Sequence, residues 1–368
     1  KPSLQQSSSS RTTKPPNNVA ESSIPIALQQ SLLDIFRNAF GSRFQPDFSP
    51  AVQEVKQHLF HRDFTSAFSR QELLDVYCGR WSPSRALGYL QILEELNEVK
   101  DLLVGESSDT NERTDCKSTG ARRACLLGGG AGAEIVAFAG LLHLLRQRRS
   151  ESVPSLHLHT IDVADWGTIV ATLADRISTP PPLSAYASAA ARERAVPLVP
   201  PDSVTVSFRQ ADLLSADTPI GEILSQDNGA AYDVRTTIGR DTGPVTIVTL
   251  MFTLNELYST NVPRTQSFLL RLGHVLEPGA LLLVVDSPGS YANVAINSGQ
   301  DSGKKYPMRW LLDLALLEEG NTKDRLGESS TQRWKKIREE ESAWFRMPGS
   351  LEYPIELENM RYQLHLYR

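Results

Sequence analysis

An α/β fold is predicted for this chain: a mostly parallel sheet with helices on both faces, an antiparallel C-terminal hairpin and a small helical region ahead of it. Three stretches predict it. Residues 124–127 are a short apolar run, Gly128-Gly129-Gly130-Ala131-Gly132 is a glycine turn, and residues 135–145 carry an apolar helix pattern. Strand, turn and helix in that order open a nucleotide-binding β-α-β unit. Residues 244–252 are a nearly continuous apolar run, as expected of a central parallel strand buried on both faces. Finally, 344–346, 353–357 and 362–367 alternate as strands of a hairpin, with Asn359 in the turn.

Composition bounds the function. With 368 residues and 40% hydrophobic content, the chain can bury one large core or two modest ones. A net charge of −5 argues against an overall basic coat for nucleic acid and leaves room for a local basic face. Cys78, Cys116 and Cys125 are too widely spaced for a zinc knuckle and too few for a disulfide framework, which points to a reducing compartment. No apolar run is long enough to span a membrane and no secretory leader is visible. The chain begins at Lys1 rather than Met, so a targeting signal ahead of it is not legible.

Residues 1–23, rich in Ser, Gln, Pro and Asn, are expected to be a disordered tail, and 24–104 a helical region. Helices are predicted from Ile26 to a stop at Gly41, over 48–62, over 69–77, and from Ser82 to about Leu103. Ser82 before Pro83 reads as an N-cap with proline in the first turn. Arg80, Arg85 and Tyr89 form an arginine-and-aromatic cluster beside that cap, able to hold a carboxylate or an RNA phosphate. The alternative is that Tyr77, Trp81 and Tyr89 simply pack this region onto the main domain. Residues 105–122 read as a polar connection into a domain over 123–368, with insertions at about 178–203 and 297–342.

Two ligand templates fit the glycine turn. Gly128, Gly130 and Gly132 suit the S-adenosylmethionine (SAM) loop of class I methyltransferases; Gly128, Gly130 and Ala133 suit a dinucleotide fingerprint. The second predicted strand, 155–161, ends in Asp162, an acid placed to bond ribose hydroxyls, with Trp166 beyond it as a partner for adenine. An Asx turn or helix cap is the alternative for Asp162. His157 and His159 share a strand face without a third ligand and read as structural. A third strand over 204–208 is followed by Asp212, either an adenine-amine acceptor or a turn residue.

The apolar strand over 244–252 runs into Asn255, Glu256 and Tyr258, polar groups aimed at the zone beyond the strand ends unless they only cap the next helix. A helix over 265–276, then Leu276-Glu277-Pro278-Gly279 and a buried strand ending in Asp286, is a frequent lead-in to the fifth strand of class I methyltransferases. With the antiparallel end, it favours the SAM template and a Rossmann-like class I methyltransferase sheet. Residues 321–341 carry mixed charge and are expected to be helical; with Lys304, Lys305, Arg333, Lys335, Lys336 and Arg338 they form either a solvated face or a basic strip for RNA.

Four segments carry a more specific likeness. These are Leu126 to Glu134, Asp162-Val163-Ala164-Asp165-Trp166, Thr249-Leu250-Met251-Phe252-Thr253-Leu254-Asn255-Glu256-Leu257-Tyr258 and Asn359-Met360-Arg361-Tyr362. Together they resemble a fungal family of methyltransferases that modify uridine at N3 in 25S ribosomal RNA, over roughly residues 24–368. The resemblance implies SAM as cofactor, large-subunit ribosomal RNA or a pre-ribosome as partner, and a nucleolar location; no metal is expected, because methyl transfer needs mainly alignment and a dry pocket, and no membrane partner. It further implies a cofactor site of Gly128, Gly129, Gly130, Gly132, Glu134, Asp162, Trp166, Asp212 and Leu250, with Asn255 and Glu256 catalytic. Arg80, Arg85, Tyr89 and Tyr258 would face the substrate. One departure from the wider pattern is Leu126, which stands where an acid often precedes the first glycine, so the methionine end must be held by loop carbonyls or by Glu134. A methyltransferase of small molecules or proteins, or a silent assembly factor, are the alternatives.

Overall fold

The computed structural model describes residues 23–44, 48–105, 121–149, 153–216, 219–224, 244–288, 293–295, 305–317 and 334–368. The expected tail up to residue 22 and most of the expected connection lie outside these residues, as does Cys116.

Six helices come first: α1 (Ile26–Phe40), α2 (Phe48–Phe60), α3 (Phe64–Ala67), α4 (Gln71–Arg80), α5 (Ser82–Glu95) and α6 (Asn97–Val104). Then β1 (Arg122–Leu127), α7 (Ala133–Arg148), β2 (Leu156–Asp162), α8 (Gly167–Ser178), α9 (Ala189–Arg194) and β3 (Val204–Gln210) build one half of the sheet. The other half contains α10 (Ile220–Leu224), β4 (Val245–Met251), α11 (Leu254–Thr260), α12 (Val262–Val275) and β5 (Leu281–Asp286). A small ribbon, β6 (Asn293–Ala295) with β7 (Lys305–Pro307), precedes α13 (Met308–Leu317), β8 (Lys336–Phe345) and β9 (Met360–Tyr367).

The seven-stranded sheet runs β3-β2-β1-β4-β5-β9-β8. Its first five strands are parallel, and β9 is inserted antiparallel between β5 and β8. The order reverses at β1 and β4, so a crevice opens at the carboxyl ends of those two strands.

Each face of the sheet has its own core. On one lie α7 and α8, covered in turn by α1 and α5; on the other lie α10 to α13. The double cover explains α7, which is apolar on nearly every side because the sheet takes one face and α5 another. Leu32, Leu33, Phe36, Leu90 and Leu93 are fully buried in this outer layer. At about 1.5–3 kcal/mol per buried side chain, the helical region is welded to the sheet rather than tethered.

Four local expectations are corrected. Ser82 does not cap α5: α4 runs almost directly into it, and the Ser82 hydroxyl donates instead to Ala131 O at 2.7 Å. The helix expected from Ser82 to Leu103 breaks at Leu96, whose backbone is extended. Residues 336–341, expected to be helical, open the edge strand β8, because pairing with β9 outweighs local propensity. Residues 353–357, expected as a strand, are irregular and pack on the helical region, with Tyr353 Oη donating to Gly79 O at 3.0 Å. Of the basic strip, Lys336 pairs with Asp313 and Glu339, and Arg338 with Glu340, as on a solvated face. His157 and His159 bond Thr205 and Ser207 of the neighbouring strand.

Candidate active site

The turn after β1 needs glycine. Gly128 and Gly132 adopt φ of +76° and +77°, a left-handed conformation that costs other residues strain. The Gly128 N–H donates to Ile161 O at 2.7 Å and the Gly132 N–H to Gly129 O at 3.0 Å. At Gly130 the need is close approach: a Cβ there would overlap the Trp166 indole, and its N–H donates to Asp162 Oδ2 at 3.1 Å. A Cβ on Gly129 would press on Glu134, and one on Gly128 on Thr253. The helical region holds the loop from outside, since Ala131 O accepts from both Ser82 Oγ and Cys78 Sγ.

Two acids, Asp162 and Glu134, lie against this loop, and a third, Asp212, follows β3. Asp162 ends β2, and its Oδ1 accepts from Ala164 N at 3.2 Å, so the Asx-turn reading describes part of its role. Its Oδ2 accepts from Gly130 N at 3.1 Å, which ties the carboxyl to the loop. Burial pushes its carboxyl up to about 6, against the bonds from Ala164 and Gly130. Glu134, buried under Gly129, accepts from Thr249 Oγ1. Its carboxyl is pushed up to about 8 by burial, which outweighs that bond, and Asp162 adds to the rise. Asp212 is exposed and caps its own turn, accepting from Leu214 N at 2.8 Å, while the preceding Ala211 N–H donates to Asp162 O.

The second wall is the corner after β4. Phe252 turns the chain at φ +59°, rare for a bulky residue, and donates to Val285 O at 2.7 Å. Thr253 packs on Gly128, joining this corner to the glycine loop. Asn255 N donates to Asp286 Oδ2 at 2.9 Å, and Ser287 N to Asp286 Oδ1 at 2.7 Å. Burial pushes Asp286 up to about 6, opposed by these bonds. Asn255 Oδ1 and Glu256 Oε2 are buried without a hydrogen-bond partner, and unsatisfied buried oxygens call for a ligand or a function. The Glu256 carboxyl is raised by burial, with Arg62 and Arg85 opposing the rise.

The residues expected near the substrate divide. Arg85 Nη1 donates to Tyr77 Oη at 2.6 Å, its guanidinium lies 4.9 Å above the Phe252 ring, and its charge acts on both Glu256 and Asp286. Tyr89 is buried beside Phe252. Arg80 is corrected: it pairs with Glu358 and covers Trp81. Tyr258 is corrected too, being 1% exposed in the opposite core with its hydroxyl accepting from Gln266. So is Leu250, whose side chain is buried in that same core and offers nothing to a cofactor. Trp166 is 2% exposed, its ring packed on Gly130, Phe68 and Tyr77, and it presents no free face to adenine. The sequence reading missed Asp286, Phe252, Thr253 and Arg62 as site residues. An acid ending the buried strand next to β4 was the available signal for Asp286.

Among the described residues no helix is long and apolar enough to cross a membrane, and no group of three metal-ligating side chains occurs. What the corner offers is a glycine cradle, acids suited to a cationic and hydroxyl-bearing ligand, and two unsatisfied oxygens beside it.

The family model described as SAM-dependent methyltransferase matches residues 36–368. A 25S rRNA (uridine(2843)-N(3))-methyltransferase of Saccharomyces cerevisiae is 30% identical over 359 residues, covering 92% of this chain and 85% of the yeast protein. Among solved structures, a SAM-dependent methyltransferase from Leishmania major is 10% identical, covering 88% of this chain and 85% of that one, with a TM-score of 0.36. A SAM-dependent methyltransferase from Methanosarcina mazei is 7% identical, covering 67% and 92%, with a TM-score of 0.33. On the family match and the yeast relative, each spanning most of the sequence, this chain belongs to the SAM-dependent methyltransferase family.

Proposed function

We propose that this chain transfers a methyl group from SAM to N3 of a uridine in large-subunit ribosomal RNA, during ribosome assembly in the nucleolus. The observation that carries the substrate is the yeast relative, whose likeness extends over 92% of the chain and so includes the helical region that supplies Arg85.

The residues fit the cofactor. In this reading the Gly128 to Gly132 loop would hold SAM, Asp162 would bond its ribose, Asp212 its adenine, and Glu134 would serve its cationic methionine end. When bound it supplies an electrophilic methyl group on a sulfonium. Uridine, unpaired or flipped from its stack, enters at the β4 corner. Its N3 proton passes to Glu256, whose Oε2 is without a hydrogen-bond partner. The Asn255 side chain guides a uracil carbonyl, while its backbone is fixed by Asp286. Alignment in a dry corner supplies most of the effect.

The experiment is methyl transfer from labelled SAM to ribosomal RNA of cells lacking the protein, with nucleosides resolved by mass spectrometry. Labelled 3-methyluridine is the expected product. SAM binding without label in that nucleoside points to another acceptor or to an assembly role.

The acids make a second prediction. Glu134, at about 8, and Asp162, at about 6, titrate above their ordinary values, so the folded chain holds their protons to higher pH than the unfolded one. The stability this lends is complete only below their ordinary values of 3.8 and 4.5, and it falls as pH rises from there to about 6 for Asp162 and about 8 for Glu134. A cationic ligand favours the ionised forms. SAM binding at pH 7 is therefore expected to release up to about one proton, chiefly from Glu134, and to tighten as pH rises. Calorimetry in buffers of different ionisation enthalpy reads the release. Proton-neutral binding at pH 7 would remove Glu134 from the methionine end.

A further inference from the structure

Three non-glycine residues among those described have positive φ: Arg62, Asp202 and Phe252. Asp tolerates this region through its short polar side chain, whereas Arg and Phe enter it rarely. One precedes the helix that carries Glu256, and the other pairs with Glu256. Phe252 turns the chain into α11, which carries Glu256, and lies under the Arg85 guanidinium. Arg62, at φ +57° in the turn after α2, sends its Nη1 to within 3.8 Å of Glu256 Oε2. Strain of this kind gathers at functional sites, where the surrounding structure over-determines it.

The contact is an ion pair without a hydrogen bond. Glu256 is the sole ion-pair partner of Arg62 among the described residues, and Glu256 Oε2 is without a hydrogen-bond partner. The neighbouring Asp63 carboxylate is taken up by Ser66 N and His58. Arg62 is 46% exposed, at the mouth of the corner, while Arg85 is fixed behind it by Tyr77. Three charged groups thus face Glu256: Arg62 from the α2–α3 turn, Arg85 from α5 and Asp286 from β5.

We propose that Arg62 is the counter-ion of the uridine anion, an assignment that rests on the reading of uridine N3 as the acceptor. When the N3–H bond breaks, the proton goes to Glu256 and the electron pair stays on the base, spread over N3, O2 and O4. Glu256 becomes neutral and no longer attracts the guanidinium. The base has meanwhile gained the negative charge, so Arg62 turns from the carboxyl to a uracil oxygen. A planar guanidinium suits that oxygen, and its charge counts for more in the corner once RNA excludes water. The helical region thereby supplies one fixed and one movable arginine to chemistry built on the sheet.

The test uses Arg62→Asn and Arg62→Lys in the full chain. Asn accepts the left-handed backbone at least as well as Arg, so the fold is kept. For Arg62→Asn the expectation is unchanged SAM affinity, a kcat on ribosomal RNA at least about tenfold lower, and a smaller change in KM. The acid limb of the kcat/KM profile moves to higher pH, because Arg62 no longer holds the Glu256 carboxyl down. Arg62→Lys recovers part of the rate. A merely structural residue would move the melting temperature and leave that limb in place. Wild-type rate and pH profile in Arg62→Asn, or a loss confined to KM, overturns the inference alone. Wild-type enzyme that makes no 3-methyluridine overturns the functional reading and this inference with it.

Discussion

Gly130→Val is expected to weaken SAM binding at least about 100-fold while the protein still folds. The position has no room: the added carbon would overlap Cδ1 and Cγ of Trp166. The indole cannot swing away, because Phe68 and Tyr77 close its other sides at centroid distances of 5.1 and 5.8 Å. The loop must therefore move, and in moving it gives up the Gly130 N–H bond to Asp162. Overpacking of this kind typically costs about 1–3 kcal/mol, which a domain with two large cores survives. Cofactor binding has no such reserve, since the displaced backbone enters the space proposed for the ligand and Asp162, the carboxylate proposed to hold the ribose, loses its partner on the loop. Equilibrium dialysis with labelled SAM, beside a thermal melt, separates the two effects. Wild-type affinity in a folded Gly130→Val variant would sink the placement of the cofactor on this loop.

What could be read from the residues, and what could not, follows the range of the forces involved. Gly128 and Gly132 were legible because backbone strain is local and only glycine relieves it at φ near +76°. The strand around Leu250 was legible because burial on both faces removes polar alternation. The same burial makes Leu250 a core residue, so a position inside the most informative segment packs with α10 to α13. Trp166 and Tyr258 failed as ligand contacts for a related reason: a polar-tipped aromatic looks alike in sequence whether its ring meets a cofactor or Phe68. Ser82 carried the local signature of a cap, and a distant acceptor, Ala131 O, took its hydroxyl. The mixed charges before Ala343 were read at helical spacing, and only β9, which lies beyond them in the chain, makes that segment a strand. Asp286 and Arg62 were silent because their roles exist only across elements, against Asn255 N in one case and Glu256 in the other.

Glu256→Gln should leave SAM affinity near wild type and lower kcat on ribosomal RNA about 100- to 10,000-fold, the usual range for a general base. Glutamine keeps the length and shape of the side chain but cannot take a proton. Burial raises the Glu256 carboxyl above its ordinary value, against Arg62 and Arg85. The carboxyl must be ionised to accept from N3, so wild-type kcat/KM climbs as pH rises through that value. In Glu256→Gln this limb disappears, and the residual rate grows instead with the fraction of uridine that ionises unaided at high pH. The competing base is Asp286, buried nearby and pushed up to about 6. It is 2% exposed and accepts from Asn255 N and Ser287 N, which makes it an enclosed support for the start of α11. The two carboxylates therefore part in kind: losing Asp286 should lower the melting temperature along with the rate, whereas losing Glu256 should spare the fold. A Glu256→Gln enzyme that methylates uridine at the normal rate at pH 7 would pass the base's role to Asp286. That carboxylate would then have to be uncovered when RNA binds.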